Sequence, residues 1–217
     1  LLVQGAVNTG GTDMISAYTA TMRIERFANS FSDSGAASIS VFVAQNHGAG
    51  DQERVRAGLR KGWKIMFVLA VVLSILMVLV RKMAVLWLMG SPSKNVLENA
   101  GQYIIVISIF YFLCFTGSTF VGYFRGIGRV EVPVIGTILQ ISVRVVLSYA
   151  WIGIMGLKAV ALATGIGWTV VVFLSAYDKE KYMSGAIVNM IFDLVLIYGL
   201  YMGVSGVALS TCVSKND

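Results

Sequence analysis

The chain has 217 residues, of which 57% are hydrophobic and 13% charged, and a formal net charge of +6. A water-soluble domain carries about 25% charged residues, so this composition excludes a soluble globular protein and points to one that spans a bilayer. The positive charge lies in short segments between apolar stretches, so a nucleic-acid partner is not expected.

Residues 1–7 read as the tail of one crossing, closed by Asn8, Gly10 and Gly11, and the pattern begins in mid-element, as in a piece of a longer protein. A long second region, 12–46, is apolar in its latter half but holds Arg23, Glu25, Arg26 and Asp33. The third covers 65–80, with 83–89 continuing beyond Arg81 and Lys82. The fourth, 103–124, is an uncharged run of the length that crosses a bilayer, about 20 residues. The fifth, 133–154, is interrupted by Arg144, and the sixth is 159–177. Then come 182–200, interrupted by Asp193, and a short 204–214. Pro92 and Pro133 stand where spans begin, where a missing N–H costs least.

Arg54, Arg56, Arg60, Lys61 and Lys64 fall in a basic loop, 50–64, Arg125 and Arg129 in a loop 125–131, and Lys179 and Lys181 in a loop 178–181. Even numbers of crossings separate these three segments, so they share a side. The positive-inside rule makes that side cytoplasmic and the protein a multi-pass protein of the cell membrane. Contact with anionic lipid headgroups is expected there. Cys114 and Cys212 both lie in apolar segments, where a thiol acts as a small hydrophobe, and no metal-ligand spacing occurs.

Two stretches near the end repeat. Met155, Gly156, Val160, Ala161, Leu162 and Thr164 recur as Met202, Gly203, Val207, Ala208, Leu209 and Thr211. Upstream, Gln140, Arg144 and Tyr149 fall opposite Asn189, Asp193 and Tyr198. One span separates the first helices of the two copies, so both run the same way. Parallel repeats make two facing lobes with a solute path between them.

Three stretches carry a resemblance: AYTATMRIERFANS, VAQNHGAGDQERVRAGLRKG and YFRGIGRVEVPVIGTILQISVRVVLSYAWI. They resemble the C-terminal half of multidrug and toxic compound extrusion (MATE) transporters, and VAQN-x-GAG-x3-R is the most specific of these motifs. Residues 1–177 therefore read as C-lobe-like helices. Residues 178–217 resemble instead the end of the N-terminal half, a partial helix pair with N-x3-D followed by G-x-x-G-x-A-L-x-T. The family's order is the reverse, and a permuted, spliced or mis-assembled sequence would each account for it. The fold class expected is all-α: a polytopic transmembrane helix bundle, two six-helix lobes in the full family and incomplete here. Missing helices or a second copy would complete the cavity.

A lone carboxylate inside a span costs about 2.5–3.5 kcal/mol on insertion scales and faces a cavity or a partner. Asp193 is such a group, and Asn189, four residues earlier, shares its helical face. The resemblance matches Asn189, Asp193 and Thr211 to the N-lobe site for a proton or sodium ion. The alternative places Asp193 at a helix end among headgroups. Glu25, with Ala28 and Ser32 on one stripe, reads either as a C-lobe acid toward cationic solutes or protons, or as a local partner of Arg23 and Arg26. Asp33 stands where the family often has apolar residues, which leaves its role open. Arg144, at helical spacing from Gln140, either shapes the cleft or serves a structural pair. His47 reads as a solvated turn residue.

By resemblance, the protein exports organic cations, drugs or metabolites in exchange for protons or sodium ions, with no cofactor beyond the coupling ion. Alternatives are a lipid-linked sugar flippase of the same superfamily, which would need a cationic cleft, and a non-transporting membrane fragment. An enzyme is not expected, because no paired acids, Ser/His pair or metal cluster occurs at usable spacing.

Overall fold

In the computed structural model, residues 2–178 are described, and they form helices without a strand: α1 (Leu2–Asn8), α2 (Gly11–Gly48), α3 (Gln52–Met89), α4 (Lys94–Gly126), α5 (Glu131–Met155) and α6 (Leu157–Asp178). Of these, α3, α4, α5 and α6 are long and apolar enough to cross a bilayer. Helix α2 is as long as α3 and packs along α4, but its charges set it apart in composition. At 38 residues it reaches about 57 Å, which leaves turns projecting beyond the hydrocarbon. Large apolar side chains are turned outward: Leu79, Trp87, Ile154 and Phe173 are each more than 70% exposed, the disposition that lipid contact requires.

Local chemistry sets the boundaries. Gly50 takes φ +77° after α2, a conformation that costs an L side chain dearly. Asp51 then caps α3, its carboxylate accepting from the Arg54 N–H at 2.9 Å. At the other end Gly90 (φ +72°) stops α3, Pro92 bars its continuation, and the Ser93 hydroxyl caps α4 by accepting from Val96 N–H at 3.3 Å.

The sequence reading needs correction at segment 50–64. The basic segment 50–64 is helix from Gln52 onward, the first turns of α3, because Arg, Lys, Gln and Glu are good helix formers once a cap is supplied. The third span continues beyond Arg81 and Lys82 as expected, within an unbroken α3. Segment 125–131 is a short turn whose ends belong to α4 and α5, with Gly128 at φ +82°.

Helix α4 is the hub, packed against α2, α3 and α6 and more lightly against α5. Its Tyr103, Ile104, Ile107, Tyr111 and Phe115 are wholly buried. Two small residues, Gly122 and Gly126, let α2 lie close. A Cβ on Gly126 would come within 2.7 Å of Val43 Cβ, and one on Gly122 would collide with the carbonyl of Ala36. Small residues at such crossings are the usual means of close helix approach in membranes. Polar bridges fix the register. Ser32 donates to Ser118 at 2.7 Å across α2 and α4, and Ser74 donates to the Ser108 carbonyl at 2.9 Å across α3 and α4. Ser93 and Asn95 donate to the Asp13 carboxylate at 3.3 and 3.2 Å, which ties the start of α2 to the start of α4.

Candidate functional site

Short helix α1 lies between α2 and α5 and touches both. The Tyr149 hydroxyl donates to the Leu2 carbonyl at 3.2 Å, holding the N-terminal end of α1 against α5. Beyond that end α2 and α5 enclose an open cavity of about 590 Å³. It is lined by Tyr18, Met22, Arg23 and Arg26 from α2, by Arg144 from α5 and by Gln4 from α1, among others. Three arginines and no carboxylate line it, so its potential is positive.

Glu25 sits just behind this wall. Its helix presents Thr21, Glu25, Ala28, Ser32 and Ala36 on one buried stripe, the i, i+4, i+7 spacing of a helical face. Helical geometry therefore turns Glu25 inward while Arg23 and Arg26 remain exposed. Among the described residues Glu25 forms no ion pair; the salt bridge there is Arg129–Glu131, at 3.1 Å on the surface. Local pairing of Glu25 with Arg23 or Arg26 is thus not what the packing shows. The carboxylate lies instead next to Tyr103 and within range of the Arg144 charge. Glu25 is 3% exposed, and among the described residues no hydrogen bond of ordinary geometry reaches its Oε1, Tyr103 Oη or Arg144 Nε, although the Glu25 carboxyl and the Tyr103 hydroxyl lie close enough to interact. Most buried polar groups are hydrogen-bonded, so an open buried carboxylate calls for an explanation, of which a functional role is one.

Arg144 joins the cavity to the buried acid. Its Nη2 donates to Tyr18 Oη at 3.4 Å and lies 3.9 Å from Met22 Sδ. Tyr18 in turn stands edge-on to Tyr103, with ring centroids 6.2 Å apart. A chain of groups from Arg144 through Tyr18 and Tyr103 to Glu25 therefore connects α5, α2 and α4.

The predicted site residues divide. Glu25 and Arg144 come together. Gln140, one turn from Arg144, lines a separate cavity of about 140 Å³ with Thr137, Cys114 and Trp168. The reason is packing: α6 presses Gly167 against Gln140, whereas Arg144 extends toward α2. Asp33 is exposed and lines none of these cavities. His47 belongs to the last turn of α2, where its Nδ1 meets Gln52 Nε2 at 3.1 Å. Asp193, Asn189 and Thr211 lie outside the described residues, as does the repeat they belong to. Tyr18 and Tyr103 were missed by the sequence reasoning. Tyr18 was findable, since it lies seven residues before Glu25 and so on the same face; nothing in the sequence brings Tyr103 to them. Among the described residues no cluster of three His, Cys, Asp or Glu side chains could hold a metal.

Four apolar spans packed around a buried carboxylate define a helical membrane protein. The MatE family model matches residues 1–150, and the chain belongs to that family. It is a family of transporters, not of enzymes. No curated protein matches the chain. Among solved structures it is similar to an inward-facing multidrug resistance MATE family transporter of the MOP superfamily, with a TM-score of 0.76 and 19% identity, covering 97% of this chain and 50% of that one. A MATE in the bent conformation gives 0.76 and 19%, covering 97% and 54%. A MOP superfamily transporter from Pyrococcus furiosus Vc1 (DSM3638), described by a reverse polarity of its binding pocket that suggests a different function, gives 0.76 and 19%, covering 98% and 49%. The chain spans about half the length of these structures.

Proposed function

We propose that the chain is part of a secondary transporter that exports organic solutes in exchange for protons or sodium ions, with Glu25 as an ion-coupling carboxylate of this lobe. The observation that carries the reading is the buried Glu25 carboxylate, open at Oε1 and joined through Tyr103, Tyr18 and Arg144 to a cavity wall. A proton or a sodium ion on Glu25 changes the charge that faces Arg144 and Tyr103, and so the packing of α2 against α4 and α5. Asp193, with Asn189 and Thr211, is the second coupling group in this proposal, supplied by the N-lobe-like segment 178–217. An inward-facing and an outward-facing relative match the chain about equally, at TM-scores of 0.76 and 0.75, which supports a lobe that rocks as a unit. The basic segments 50–64, 125–131 and 178–181 face the cytoplasm in this arrangement.

The test is transport by the full-length protein in proteoliposomes. Glu25→Gln and Asp193→Asn should each abolish export of a cationic dye driven by a proton or sodium gradient, while the protein still inserts and folds. Unchanged export in Glu25→Gln would remove that residue from the coupling.

The three arginines of the cavity favour a second reading, in which the solute carries an anionic group, as in a lipid-linked sugar flippase. The reversed pocket polarity described for the Pyrococcus transporter supports keeping it. Binding of a lipid pyrophosphate by a protein that exports no cationic dye would decide for this reading.

A further inference from the structure

Arg23 lines three cavities at once. One is the cationic cavity between α1, α2 and α5; the second, of about 300 Å³, lies between the start of α2 and the end of α3. The third, of about 330 Å³, is a groove along α2 and α3 walled by Phe27, Leu73, Leu76, Ala84 and Trp87. Thr19 is shared by the first two and Leu88 by the last two, so the three are contiguous around one guanidinium.

The polarity of this groove is ordered along the axes of α2 and α3. Its outer part, at Ser16, Thr19 and Met89, lies near the helix ends that Asp13 ties to Ser93 and Asn95. Its inner part, from Leu88 down to Leu73, is walled almost wholly by carbon apart from Arg23. Trp87, 86% exposed, walls the groove two residues before α3 ends at Met89, and aromatic residues near span ends mark the membrane interface. Arg23 is exposed, and no carboxylate of the described residues pairs with it. Within a bilayer, an exposed arginine beside a carbon-walled groove is costly unless an anion meets it. A protein helix in this groove would have to bring an acid to that depth, whereas an anionic lipid carries one above an acyl chain, in the same order as the groove.

We propose that Arg23 marks a binding site for an anionic membrane lipid of the leaflet opposite the basic end of α3, its headgroup on Arg23 and its acyl chain in the α2–α3 groove. Arg26 and Arg144, across α2, extend the positive field to larger headgroups. The site shares Arg23 with the cationic cavity, and Ala84→Phe separates it from the flippase reading, because Ala84 lines the groove and not that cavity.

The experiment is native mass spectrometry of the full-length protein in neutral detergent, with phosphatidylglycerol and phosphatidylcholine added in equal amounts. A charge-assisted contact predicts retention of phosphatidylglycerol about tenfold over phosphatidylcholine. Arg23→Gln should erase the preference. Ala84→Phe, which fills the groove without changing charge, should lower retention of the lipid itself, and neither variant should shift the unfolding temperature. Glycerol 3-phosphate at the same concentration should not displace the lipid. Equal retention of the two lipids, or a preference that survives Arg23→Gln, overturns the site. Displacement by glycerol 3-phosphate together with full retention in Ala84→Phe would show a soluble-anion site and overturn the lipid assignment.

Discussion

The packing of α2 on α4 positions Glu25, and it depends on Gly122. An alanine Cβ there would fall on the Ala36 carbonyl oxygen and within 3.1 Å of the Ala36 carbonyl carbon and Cα. All three are backbone atoms of a helix, and none can swing aside as a side chain would. The two helices must therefore part, by about 0.5–1 Å, which forfeits a quarter to a half of each contact across the crossing. With about 40 atom pairs at about 0.1–0.2 kcal/mol each, the loss is about 2 kcal/mol, inside the range of about 1–3 kcal/mol typical of overpacking. The gain in helix propensity from Gly to Ala, about 0.5–1 kcal/mol, offsets part of it. Gly153 in α5 is the control, since a Cβ there meets nothing within 4 Å. Gly153→Ala keeps the propensity gain without the collision, so the two variants should differ by about 2 kcal/mol, or about thirtyfold in the unfolding equilibrium. Unfolding of the purified protein in mixed micelles with rising dodecyl sulfate, followed by circular dichroism, reads the difference directly. If the two alanine variants unfold at the same detergent fraction, the tight crossing does not exist as described.

Two further variants test the hub and the caps. Phe115, wholly buried in α4, should cost about 3–5 kcal/mol on truncation to Ala; a loss below 1 kcal/mol in the same assay would mean that α4 is not central. Asp51→Ala removes the cap of α3 and should cost about 1 kcal/mol, with faster amide exchange confined to the first turn of α3; uniform exchange along α3 would contradict the cap.

Much of the site was legible, because helical spacing is a local property. The stripe of Glu25, Ala28 and Ser32 follows from 3.6 residues per turn, and it placed the acid inward once α2 was a helix. The isolation of Arg144 in an apolar span marked it equally well. What spacing could not say is which other helix each face would meet. Gln140 and Arg144 share a face in the sequence, yet α6 covers one and α2 draws the other.

The sequence by itself determined the class of protein. Its apolar runs are too long and too poor in charge to be buried in anything but a bilayer, and its glycines, Pro92 and the capping Asp51 and Ser93 punctuate the helices. It misread the basic segment 50–64 as a loop, because a run of charge is equally compatible with a solvated turn and a projecting helix. Only the tertiary structure decided that Tyr103 meets Glu25, that three arginines from two distant helices share one cavity, and that Arg23 stands at the meeting of polar and apolar grooves. These are contacts between residues up to more than a hundred positions apart. They arise from which helices can approach closely, and that was settled by small residues such as Gly122 and Gly126, whose effect appears only when a second backbone lies against them.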